Sequence, residues 1–210
     1  MSSALSSSSY NFTLVLLLGS YDPITKNLLD ILKREIAKKY GGTGLFVFLL
    51  EEVGVYNFRE YFVLTERWTD ENISIHIFQH DGSPVETYEL KLAREEQIDD
   101  KVKSLLQEKY GDEYYVTKLT VIDKLIVLMN LSKQIIIVRD REETRGGEIF
   151  ELTYCIFQGY RDKVCIFKRE GIQLSSMLME FLDQNKVIMR TYSTRQELIE
   201  NVLRFLSYNL

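Results

Sequence analysis

The chain has 210 residues, of which 45% are hydrophobic and 27% charged, with a formal net charge of -5. This composition supports a globular domain able to bury a core. The negative balance excludes a general affinity for nucleic acid or anionic membrane arising from charge alone.

Residues 1–9, MSSALSSSS, carry no Lys or Arg and read as a disordered tip rather than a targeting segment. The run FTLVLLL at 12–18 is apolar at almost every position. It is too short to span a bilayer and reads as a strand buried on both faces, the habit of a central parallel sheet. Asp22 can cap the next helix and Pro23 suits its first turn. Ile24, Leu28, Leu29, Leu32 and Ile36 recur at helical spacing up to the Gly41–Gly42 stop. GLFVFLL follows as a second strand, which makes a right-handed β-α-β unit.

The middle of the chain breaks that rhythm. EYFVLTER, ISIHIFQ and PVETYELK, within 60–91, alternate closer to period two, and a DGS turn at 81–83 joins the last two. They predict an antiparallel meander inserted into a single α/β domain of residues 10–210, the insertion covering 54–115 and ending in a charged helix over about 92–109. The α/β alternation then resumes. Helices are expected near 117–131, 147–159, 174–184 and 194–207, with strands at 134–138, 163–167 and 186–190. The fold class is therefore an α/β, flavodoxin- or Rossmann-like three-layer sandwich, its five parallel strands in the order 2-1-3-4-5.

Such sheets bind ligands beyond the carboxyl ends of their strands, where the strand order reverses. That rule brings the loop GSYDP at 19–23 to the loop RDREETRGG at 139–147. In the first, Gly19 allows close backbone approach, Ser20 offers a hydroxyl, Tyr21 an aromatic face, and Asp22 opens a helix whose N-terminus attracts anions. The same residues also make an ordinary strand-to-helix turn. In the second, Gly146 and Gly147 let backbone approach a ligand, and Glu148 and Glu151 fall one helical turn apart. A carboxylate there can attack an anomeric carbon or stabilise an oxocarbenium ion. It can equally decorate a helix start, or pair with Arg139, Arg141 or Arg145.

Cys155 and Cys165 lie in apolar runs with no CxxC and no Cys/His cluster, which predicts buried thiols in a reducing setting and no zinc site. His76 and His80 share a strand face without an evident third ligand, so no metal and no cofactor are expected. Tyr56, Tyr61, Trp68, Tyr88, Tyr110, Tyr114 and Tyr115 make the insertion aromatic, suited to packing, to an oligomer interface or to stacking on a base.

The order of apolar strand QIIIV, glycine-containing loop, FELTYC helix and strand KVCIF resembles nucleoside 2-deoxyribosyltransferases. Glu151, Leu152, Thr153, Tyr154 and Cys155 stand where that family has its Glu-apolar-small-x-Ala helix, and Lys163 precedes the strand. The Glu-Leu pair is similar to that of TIR-type NAD hydrolases, and the Gly-Gly-x-x-x-Glu spacing to nucleotide-binding proteins of the lysine-decarboxylase-like group. The resemblance implies a nucleoside or nucleotide partner and chemistry at an N-glycosidic bond. Glu151 would be the catalytic carboxylate, and the LLLGSYDP loop would hold the sugar or base. Asp140 and Glu148 are candidate assisting groups. The preserved Glu151 favours catalysis. Arg145, where the family often has an Asp, favours a nucleotide-sensing module with the same cleft and no turnover. The expected setting is cytoplasmic, without membrane association, with a homo-oligomer open.

Overall fold

A computed structural model of the chain describes residues 12–20, 22–67, 71–92, 97–111, 115–142 and 147–210, and of 147–150 the backbone only. The predicted tip at 1–9 and the residues Tyr21, Trp68, Tyr114, Arg145 and Gly146 lie outside the described residues, as does the side chain of Glu148. The chain divides into two compact units, one built on Leu50–Asn130 and the other on Asn11–Leu49 with Leu131–Leu210.

The second unit holds the parallel sheet. Its strands are β1 (Thr13–Gly19), β2 (Leu45–Leu49), β8 (Gln134–Arg139), β9 (Val164–Arg169) and β10 (Ile188–Tyr192). They lie in the order β2-β1-β8-β9-β10, every pair parallel. This is the order 2-1-3-4-5 expected from the sequence. Helix α1 (Pro23–Tyr40) and helix α6 (Arg195–Asn209) cover one face. Leu29, Leu32 and Ile36 of α1, and Leu198, Val202 and Phe205 of α6, pack there with Val15, Leu17, Ile136, Val138, Cys165 and Phe167. Alternate strand residues point to the other face. There Ile137 and Ile166 meet Leu152 of α4 (Gly147–Phe157) and Leu178 and Leu182 of α5 (Ser176–Gln184) around an apolar hollow of about 20 Å³. The sheet is thus wound on both faces, and β1, paired on both edges by β2 and β8, is dry from Leu14 to Leu18, at most 1% exposed. Cys155 and Cys165 are both buried, and burial pushes each thiol up to about 12.

The first unit holds β3 (Val53–Phe58), β4 (Tyr61–Arg67), β5 (Asn72–Gln79), β6 (Pro84–Lys91) and β7 (Thr117–Lys118), ordered β6-β5-β4-β3-β7. The three expected meander strands are β4 to β6, all paired antiparallel. The DGS turn is present, with the Ser83 amide donating to the Asp81 carboxylate at 2.8 Å. Ile73, Ile75 and Ile77 of β5 form a core with Tyr56, Phe58 and Val63 and with Val102 and Leu106 of α2 (Ile98–Tyr110). Two strands differ from the sequence reading. β3 completes a tight hairpin with β4, in which Arg59 takes φ 53°. Thr117–Lys118, expected as the start of a helix, instead pairs with Tyr56–Asn57, so that α3 begins only at Val121 and runs to Leu131. Tyr56 donates to Asp99 of α2 at 2.6 Å, and Lys118 holds the same carboxylate at 2.9 Å. This pins the helix to the short strand.

Candidate functional site

The carboxyl ends of β1, β8, β9 and β10 lie at one edge of the parallel sheet, and the polar residues of the second unit gather there. Gly19 ends β1 opposite Val138. A Cβ on Gly19 would come within 2.9 Å of the Val138 carbonyl oxygen, so the glycine lets the two strands leave the sheet side by side. Asp22 then caps α1, its Oδ1 accepting the amides of Ile24 at 3.0 Å and Thr25 at 3.2 Å. The Arg141 guanidinium, from the loop after β8, lies 3.7 Å from that same oxygen. The two loops that the sheet rule brings together therefore touch, and they do so through an ion pair.

Burial alone would raise the Asp22 carboxyl. The Thr25 hydroxyl, the Thr25 and Ile24 amides and the Ser20 hydroxyl outweigh it and hold the group at about 2. Asp22 is thus ionised at any physiological pH and already occupies the first amides of α1. Because its folded value lies below the unfolded one, about 3.9, its contribution is complete above that value and is lost as pH falls toward 2. Replacing Asp22 by Ala should cost about 1 kcal/mol at pH 7, the usual worth of a helix cap, whereas Asp22→Asn should keep most of it. Urea unfolding at pH 7 and pH 3 checks both, and the difference between wild type and Ala should narrow at the lower pH.

Asp140, one residue past β8, sits deeper, its side chain 8% exposed. The Tyr192 hydroxyl at the end of β10 donates to its Oδ1 at 2.8 Å, and an Arg169 Nη1 from the end of β9 lies 3.8 Å from the same oxygen. Burial first, then the Asp140 hydrogen bond and charge, raise Tyr192 far above the ordinary phenol range, with Arg169 opposing. Tyr192 therefore remains a proton donor to Asp140, not an acid to be titrated.

These groups border a cavity of about 210 Å³ on the α1 and α6 face of the sheet. Asn27, Asp140, Arg169, Tyr192, Ser193 and Arg195 supply its polar wall. Ile24, Leu28 and Ile31 supply an apolar wall along α1. Ile24, expected to face the core, is 58% exposed. Its place is taken by Thr25, fully buried against Gly19, and Ile24 turns toward the cavity instead. The turn into α6 is tied down by Glu197, which accepts both the amide and the hydroxyl of Ser193, while Thr194 caps the helix through the Glu197 amide at 3.1 Å.

Of the residues singled out in the sequence, Asp140, Asp22, Ser20 and Gly19 come together at this edge. Glu151 is 6% exposed on α4, the helix covering the opposite face, and among the described residues the cavity takes none of its lining from α4. Of the three arginines expected as possible partners of Glu151, Arg145 lies outside the described residues and the other two make polar contacts. Arg141 faces Asp22, and Arg139 donates to the Glu142 carbonyl at 3.5 Å. Gly147 starts α4. Arg169, Tyr192 and Arg195 were missed by sequence reasoning, although each lies at a strand end or the first helical residue beyond it.

His76 is fully buried in β5, its ring nitrogens 3.0 Å from the Ser74 and Thr87 hydroxyls. His80 lies 3.0 Å from Asn57 at the exposed end of the meander. Among the described residues no group of three or more His, Cys, Asp or Glu is placed to hold a metal ion, and no helix is long and apolar enough to cross a membrane.

No family model and no curated protein matches the chain. Among solved structures, the crystal structure of a conserved protein from Enterococcus faecalis V583 is similar at 10% identity and a TM-score of 0.39. The match covers 92% of this chain and 99% of that one. A likeness at that level carries no argument about what the cavity holds.

Proposed function

We propose that the chain is a nucleotide-binding module whose ligand seats at the carboxyl edge of the parallel sheet. What carries this reading is the cavity of about 210 Å³ with a dual lining: apolar side chains of α1 on one side, and Asp140, Arg169, Tyr192, Ser193 and Arg195 on the other. A nucleotide offers matching parts, namely a flat apolar base, sugar hydroxyls that donate to a carboxylate, and an anionic end suited to arginine. Binding without turnover is favoured because Asp140, the buried carboxylate of the cavity among the described residues, is engaged by Tyr192 and faces Arg169. A carboxylate whose Oδ1 is already taken up by a hydroxyl and faced by a guanidinium is a recognition element rather than a nucleophile.

A second reading keeps the N-glycosidic chemistry on Glu151, and its support is a carboxylate 6% exposed near the start of α4. Calorimetry with nucleosides, nucleotides and NAD, followed by product analysis of the same mixtures, separates the two. The binding module gives saturable uptake and intact ligand. Release of free base or nicotinamide, abolished in Glu151→Gln, would replace it with the enzyme.

A further inference from the structure

We infer that the cavity is a phosphomonoester site, in which Arg169 and Arg195 take the phosphate and Asp140 takes a hydroxyl of the attached sugar; the inference rests on the nucleotide reading and fixes which end of the ligand goes where. A parallel sheet ordinarily offers an anion the helix N-terminus after its first strand. Here that position is closed. Asp22 occupies the Ile24 and Thr25 amides, and its charge, faced by Arg141 at 3.7 Å, disfavours a second anion on those amides. Two cationic side chains line the cavity instead. Arg169 leaves β9 and Arg195 opens α6, and both line the same space although the chain as a whole carries -5.

Asp140 and Arg169, neighbours in the cavity, differ in exposure. Asp140 is 8% exposed and oriented by the Tyr192 hydroxyl, whereas the Arg169 side chain is 54% exposed. A charged phosphate keeps partial hydration against the exposed guanidinium groups of Arg169 and Arg195. A sugar hydroxyl, which can donate to a fixed carboxylate, suits the dry interior. The Arg169–Asp140 separation of 3.8 Å is longer than a hydrogen bond, so the guanidinium has donors left to offer a bidentate anion. The volume of about 210 Å³ suits a ligand with one phosphate better than a dinucleotide.

The test is isothermal titration of the full chain with 5′-AMP, adenosine and ribose 5-phosphate, on wild type, Arg169→Ala, Arg195→Ala and the control Arg34→Ala. Expected are saturable 5′-AMP binding, adenosine weaker by roughly 10- to 100-fold, and a similar loss of 5′-AMP affinity in each cavity arginine variant, as for charge-assisted hydrogen bonds. Circular dichroism should show both variants folded, since both side chains are largely exposed. Ribose 5-phosphate binding with the same arginine dependence, but no 5′-AMP binding, would uphold the phosphate site and remove the nucleotide reading. Equal affinity for 5′-AMP and adenosine, unchanged in both variants, would overturn the phosphate assignment and leave nucleotide binding standing. No binding of any of the three overturns both.

Discussion

Acidification from pH 7 to pH 3 should remove on the order of 4 kcal/mol of folding stability through His76 alone. Burial of this fully enclosed ring, 0% exposed, pushes its pKa from the ordinary 6.5 down to about 3. Burial strips an imidazolium of the water that would stabilise it, while the Ser74 and Thr87 hydroxyls, each 3.0 Å from a ring nitrogen, satisfy the neutral imidazole. The unfolded chain therefore binds a proton between pH 6.5 and about 3 that the folded chain refuses. Stability is complete above 6.5 and falls continuously as pH drops through that window. Urea unfolding at half-unit intervals from pH 7 to pH 4 measures the slope. His76→Gln, neutral throughout, should start less stable at pH 7 because it repacks imperfectly between two strands, yet should lose far less on acidification. A wild-type slope no steeper than that of the variant would show that the ring gains a proton inside the sheet.

His76 also shows what the sequence could and could not tell. Its position on a period-two strand was legible, because ISIHIFQ alternates cleanly and Ile73, Ile75 and Ile77 do face one core. Its partners were not. Thr87 reaches it from β6 across the sheet, and register between strands is a long-range quantity without a local signature. The same limit hid β7, which exists only because Thr117 and Lys118 find Tyr56 and Asn57. The parallel sheet was the easier half. β1 is apolar at every core position, which only a strand dry on both faces needs, and this marks it as an interior strand of the order β2-β1-β8-β9-β10. At the site, the meeting of the 19–22 and 139–142 loops followed from that order. Stopping at the switch point left out Arg169 and Tyr192, which end the next two strands. The expected strand 186–190 also sat two residues early. Lys186, at φ 54°, still belongs to the turn closing α5, and its amide donates to the Asp183 carbonyl. Moving the strand to Ile188–Tyr192 carries Tyr192 to the sheet edge, where it meets Asp140.

Phe167→Ala should be the most damaging single truncation in the parallel-sheet unit, at roughly 3–5 kcal/mol. Phe167 is fully buried in β9, flanked in register by Val138 and Arg190, and meets Phe205 of α6 edge to face with ring centroids 6.2 Å apart. The Arg190 guanidinium lies over the far partner, 5.6 Å from the Phe205 centroid. Removing the inner ring leaves a void that Leu198 and Val202, held by their own helix, cannot fill without shifting α6. Phe167→Leu should cost far less, because it keeps most of the volume. The loss is read as a drop in the urea midpoint with an unchanged slope, and a change below about 1 kcal/mol would mean that α6 does not pack on the sheet as described. The same truncation links the core to the cavity. Phe167 stands two residues before Arg169, and α6 begins at Arg195, so a relaxed α6 moves one arginine relative to the other. In Phe167→Leu, which stays folded, 5′-AMP affinity should fall with little change in global stability. That separation of effects follows if the spacing of the two guanidinium groups, set by the aromatic contact beneath them, is what recognises the phosphate.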